Sequence, residues 1–186
     1  FRHSQSRFRD SYSYQFYSGI QFPILGRIRG ALSLGYKKFI PRAKERKSFS
    51  GIVGDTGLDF RLGRFSLRLN YKRDIPFSYG ASDIYFINNI YGGGISFYLT
   101  RFLRVDYNYT YGESNYPEMM SLQMPGGTYE EIKRKDVYRT QSLGLVFRII
   151  RNTGIGLMVN FWERDSNYYG ASKNRMFIGG YVTYEF

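Results

Sequence analysis

The chain has 186 residues, of which 42% are hydrophobic and 19% aromatic, and a formal net charge of +12. Its mean hydropathy is −0.42, and no run of about 18 apolar residues occurs, so a transmembrane helix is excluded and the length suits one domain. Cysteine is absent, which excludes disulfides and thiolate metal sites and suits passage through an oxidising compartment. The 19 Tyr and 16 Phe against one Trp favour strands over helices. Phe1 is not an initiator and no signal peptide opens the chain, so the start reads as a processed or truncated end.

In chain order, the dominant signal is alternation with a period of two. Tyr12, Tyr14, Phe16, Ile20 and Phe22 open it and predict a strand over 9–22. Ile28, Leu32, Leu34 and Tyr36 share a face with Gly30, opposite Arg27, Arg29, Ser33 and Lys37, which predicts 27–39. Leu58, Phe60 and Leu62 alternate with Asp59 and Arg61 in 49–62. Phe65, Leu67, Leu69 and Tyr71 alternate with Ser66, Arg68, Asn70 and Lys72 in 65–73. Tyr91, Ile95, Phe97 and Leu99 carry the pattern through 83–99. There Gly92, Gly93 and Gly94 mark a bend or a place where a bulky neighbour packs, since no helix follows to make a phosphate loop.

Further strands are predicted over 102–112, 137–149, 154–164 and 173–186. In the first, Leu103, Val105, Tyr107, Tyr109 and Tyr111 oppose Arg104, Asp106 and Asn108. In the second, Leu143, Leu145, Phe147 and Ile149 oppose Ser142, Gly144 and Arg148. In the third, Ile155, Leu157, Val159 and Phe161 oppose Gly156, Met158 and Asn160. In the last, Met176, Ile178, Gly180, Val182, Tyr184 and Phe186 share one face and Arg175 lies on the other. Nine strands result, each near the ~9–11 residues that cross a tilted barrel wall.

The connections alternate between tight and long. Tight turns at Leu25-Gly26-Arg27-Ile28, Leu62-Gly63-Arg64-Phe65 and Leu99-Thr100-Arg101-Phe102 recur every 37 residues, a hairpin repeat, and Ile150-Arg151-Asn152-Thr153 makes a fourth. The long connections are 40–48, 74–82, 113–136 and 165–172. Short turns on one side and long loops on the other predict periplasmic turns, with Phe186 beside them, and extracellular loops.

Alternation alone fits a soluble barrel with an apolar interior as well. Three features favour lipid outside. The polar face mixes small residues with Arg and Asp, as a wet lumen does. Tyr36, Tyr71, Tyr107, Tyr109, Tyr111, Phe65, Phe102 and Phe161 gather near apolar strand ends, as interfacial girdles do. The chain also stops in mid-alternation at Tyr184-Glu185-Phe186. The expected fold class is therefore all-β: a transmembrane, antiparallel, up-and-down β-barrel with about 8–10 strands in this chain.

The closing segment carries a family resemblance. An alternating last strand ending in Tyr184 and Phe186 resembles the signal read by the barrel-assembly machinery of Gram-negative outer membranes. The stretch from Tyr138-Arg139-Thr140-Gln141-Ser142-Leu143-Gly144 through Arg164-Asp165-Ser166-Asn167 to Phe186 resembles the putative β-barrel porin and exopolysaccharide-operon outer-membrane families. The resemblance covers about the last third of the chain. It implies a porin-like outer-membrane barrel with a link to polysaccharide export, and it transfers no functional residue.

Catalysis is poorly supported. The one histidine, His3, precedes the first strand and reads as a surface residue. No His or Cys cluster and no Asp-rich loop of calcium-binding spacing occurs, so no metal or other cofactor is expected. The inward charges are the sharper signal. Arg29, Lys37, Asp59, Arg61, Arg68, Lys72, Arg104, Asp106, Arg148 and Arg175 fall on the polar faces and are the candidate pore lining. They serve either a structural ion-pair network in a narrow lumen or an electropositive passage for anionic or polar solutes. Arg42, Lys44, Arg46 and Lys47 meet lipopolysaccharide phosphates or are simply solvated. Loop 113–136, with Met119, Met120 and Met124, is either a constriction folded into the mouth or a mobile loop.

Net charge alone would also suit nucleic acid, but arginines spread over many strands make no nucleic-acid module, so no such partner is expected. The stronger rival is a structural or adhesive barrel with a plugged lumen and functional loops. An odd strand count, with the strand at 9–22 descending from outside, leads to the expectation that the chain is the C-terminal part of a longer barrel, or that a second chain completes the wall.

Overall fold

The computed structural model describes residues 11–42, 48–78, 85–123, 129–150 and 152–184. His3, Lys44, Arg46, Lys47, Met124 and Phe186 lie outside the described residues. The strands are β1 (Ser11–Leu25), β2 (Ile28–Pro41), β3 (Phe49–Leu62), β4 (Phe65–Asp74), β5 (Ile87–Tyr98), β6 (Leu103–Gln123), β7 (Tyr129–Ile150), β8 (Thr153–Ser166) and β9 (Lys173–Tyr184). Each pairs antiparallel with the next in a nine-stranded up-and-down sheet of order β1 to β9. Among the described residues the sheet is not closed on itself, and β1 and β9 are its edges.

The tight turns set the register. Leu25 pairs with Ile28, Leu62 with Phe65 and Ile150 with Thr153. Gly63 takes a left-handed φ of 57°, the conformation that a two-residue hairpin turn of this kind requires. The third turn is looser, because β5 stops at Tyr98, and Thr100 Oγ1 accepts from the Phe102 and Leu103 amides at 3.1 Å each. Successive turns are also stepped. Ile28 pairs with Phe60 and Phe60 with Leu67, so Phe65 lies two residues lower. Phe65 runs across through Phe97 to Val105, and Leu103 is again two lower. Two residues per hairpin is one per strand, which for a ~3.3 Å rise and ~4.8 Å spacing tilts the strands by roughly 35°, the range of closed barrels.

Directly opposed residues share a face, so the pairing sorts every side chain. Leu67, Leu69, Val105, Leu145, Leu157 and Ile178 fall on one face with the aromatic belt. In that belt Tyr71, Tyr91 and Tyr111 are direct neighbours, with ring centroids 4.9 and 6.1 Å apart. The opposite face is concave. A single cleft of about 640 Å³ is lined from β3 to β9, from Arg61 through Arg68, Tyr98, Asp106, Ser142 and Met158 to Tyr181. The apolar residues are therefore convex and exposed, with Leu145 at 47% and Ile178 at 64%, the reverse of a soluble barrel.

Glycines let large side chains lie flat on the concave wall. Tyr138 crosses Gly112 and donates to Asn88 Oδ1 at 3.3 Å, joining β7 to β5. A methyl group at Gly112 would occupy the Tyr138 ring. Gly112→Ala should therefore cost about 1–2 kcal/mol through the displaced ring and its lost hydrogen bond. Equilibrium denaturant unfolding in vesicles measures this, and an unchanged midpoint counts against the packing.

The long connections differ from expectation. Within the expected loop 113–136, residues 113–123 and 129–136 are strand, because β6 runs on to Gln123 and β7 begins at Tyr129. The two form an extended hairpin whose register shifts between Asn115 and Met119, around Pro117, where a ladder donor is missing. Beyond the aromatic belt both faces of a sheet are polar: Lys135 pairs with Glu113 at 3.3 Å on one face and Arg134 with Asp136 on the other. Alternation fades there although backbone pairing continues. β5 begins at Ile87 rather than 83. On either side of residues 79–84, buried Ile75 and Tyr85 lie on the concave face and pack with Phe39 and Val53. Ile75 and Tyr85 thereby cover the wall at the long-loop end.

Candidate pore lining

All ten candidate residues lie on the concave face. Arg29 opposes Asp59, which opposes Arg68, and Lys72 opposes Asp55. Lys37, Arg61, Arg104, Asp106, Arg148 and Arg175 have the same parity in their own ladders. They are not one cluster. Arg61, Arg68, Arg104 and Asp106 share the cleft near the tight-turn end, and Arg148 lies beside it with Tyr98 and Arg104. Lys37 belongs to the long-loop end, as does Arg175 on β9.

Much of the negative charge on this face is taken up in ion pairs. Arg68 Nε donates to Asp59 Oδ1 at 2.9 Å, and Lys37 Nζ reaches across β3 to Asp74 Oδ1 at 3.0 Å. Arg104 Nε lies 3.1 Å from both Asp106 oxygens and donates to Oδ2. Arg29, Arg61, Lys72 and Arg175 make no salt bridge among the described residues. With most carboxylates paired to single cations, a positive excess is left along the wall, and a concave, low-dielectric boundary concentrates its field.

A second group was not singled out from sequence. Asp136, only 3% exposed, accepts from Arg134 Nε and Nη2 at 2.9 and 2.6 Å, from Ser166 Oγ at 2.5 Å and from Tyr116 at 3.4 Å. Burial pushes its carboxyl up, but the hydrogen bonds from Arg134 and Ser166 outweigh that and hold it below the usual carboxylate range. Asn167 adds to the joint, accepting from the Lys135 amide at 2.7 Å and donating to the Lys133 carbonyl at 2.8 Å. The group fastens the β8–β9 connection to the extended hairpin. Trp162, Arg164 and Lys173 were also missed. Their period-two parity with Asn160 and Arg175 was the available signal.

An apolar convex wall, an aromatic belt, a polar concave face and stepped hairpins describe a membrane β-barrel. The model of the family described as putative beta-barrel porin 2 matches residues 2–186. The chain belongs to that family. The match extends the resemblance seen in the closing third to nearly the whole sequence. No curated protein matches the chain. In this porin family member, Tyr184 ends β9 on the convex face.

Proposed function

We propose that the chain forms the wall of an outer-membrane pore for passive, non-enzymatic passage of anionic or polar solutes, with polysaccharide export as its specific form. The family supports an outer-membrane setting. There the convex band faces lipid, the long-loop end meets lipopolysaccharide, and assembly proceeds through the barrel-assembly machinery. The observation that carries the proposal is the excess of concave cations over carboxylates, with Arg61 and Arg68 in the 640 Å³ cleft. Reversal potentials in planar bilayers test it. Anion selectivity is the expected result, and Arg61→Glu with Arg68→Glu should shift it several-fold toward cations. Cation selectivity of the parent overturns the proposal.

A structural or adhesive barrel is the second reading. It is favoured by the apolar cluster of Phe39, Val53, Ile75 and Tyr85, which occupies the concave face where a wide channel would hold water. Absence of current from reconstituted protein would select it.

A further inference from the structure

We infer that the concave wall at the long-loop end carries a subsite for acidic saccharides, centred on Trp162. This rests on the pore reading and names a solute class for it. Trp162 is the chain's one tryptophan and lies half-buried on β8. Its register partner on β9 is Arg175, and the next concave pair outward is Arg164 opposite Lys173. Like charges directly opposed in a sheet repel, and the Asp136 carboxylate, whose charge acts on Arg164, offsets that on the Arg164 side only. Of the neighbouring carboxylates, Glu163 points to the convex face and pairs with Arg139, and Asp136, held by Arg134, also acts on Arg164, so Lys173 and Arg175 are the cations left for an added anion.

The guanidinium carbons of Arg164 and Arg175 each lie 5.9 Å from the indole ring, the outer limit of a cation–π contact. Arg164 is anchored, donating through Nε and Nη2 to the Ala171 carbonyl at 2.9 and 2.7 Å. Arg175 is exposed, and among the described residues it touches the indole but makes no hydrogen bond or ion pair. A carboxylate offers Arg175 and Lys173 a charge-assisted partner and draws Arg175 off the ring. The uncovered indole face, electron-rich, then suits the polarised C–H face of a pyranose. An inorganic anion would leave the indole unused, and a neutral sugar would leave Lys173 and Arg175 without a counter-charge. The motif recurs at the tight-turn end, where Arg104 and Arg148 lie 5.8 and 5.9 Å from the Tyr98 ring. A polymer carrying a carboxylate on each sugar would meet both.

Trp162 is its own reporter. Its emission should change saturably when the reconstituted protein is titrated with hexagalacturonate. It should not respond to maltohexaose, nor to sulfate at matched ionic strength. Arg175→Gln and Lys173→Gln should each weaken the hexagalacturonate response by about tenfold. An equal response to sulfate or to maltohexaose overturns the assignment, as does a folded Arg175→Gln protein with unchanged affinity. If neither variant folds, the three-ligand comparison on the parent decides. Bilayer currents recorded on the same preparation separate the two claims. Anion-selective current without an emission response leaves the pore and removes the subsite, whereas a saturable response without current does the reverse.

Discussion

Leu145→Arg is expected to destabilise the protein in a bilayer by about 2–4 kcal/mol, the cost of a guanidinium on the lipid face near mid-membrane. Leu145 lies between Val105 and Leu157 on the convex wall, within the apolar run from Leu143 to Ile149, so the new charge has no aqueous route except along the wall. Thr140→Arg on the same strand reaches the concave face, where added charge changes selectivity more than stability, and should stay within about 1 kcal/mol of the parent. Denaturant unfolding from vesicles, followed by Trp162 emission, compares the two. Equal stability of Leu145→Arg and the parent would reverse the assignment of the lipid face.

Removing the Asp136 carboxylate should have the other large effect. Asp136→Ala removes the carboxylate that pairs with the Arg134 guanidinium, 16% exposed, and releases Ser166 and Tyr116. Breaking a buried ion pair from one side costs about 3 kcal/mol or more. The loss is local, because Asp136 joins the extended hairpin to the β8–β9 connection and not to the wall below. It should appear as roughly 100-fold faster amide exchange over 113–136, with little change in global unfolding. Asp165→Ala, whose ion pair with Arg139 is largely exposed, should change exchange by less than about fivefold.

The folded carboxyl of Asp136 titrates below its unfolded value, so its contribution is complete above the ordinary carboxylate pKa of about 3.9 and is lost only as pH falls through the lower folded value. Exchange in the hairpin, corrected for its intrinsic rate, should be flat between about pH 5 and 8 and should accelerate only in stronger acid. Acceleration already near neutrality would assign the joint to another group.

Sequence alone determined the nine strands of the described residues, the tight turns between them and the two faces. The reason is that a wall with one apolar and one wet side must place an apolar residue at every second position, and tight turns leave little choice of register. The ten inward candidates were legible for the same reason, since parity is a property of the strand and not of its neighbours.

Tertiary structure decided what parity does not contain. The β6–β7 extension was hidden because alternation records two different solvents, and beyond the belt polar residues such as Glu113 and Arg134 occupy both faces while the backbone continues to pair. The segment after β4 reaches the concave face through the packing of Ile75 against Val53, a contact between strands that no local pattern encodes. Lys37 finds Asp74 two strands away, and Arg175 finds Trp162 across a connection too long to fix its own register. Which cations are neutralised along the wall is settled by stagger, and stagger is the sum of every turn before it.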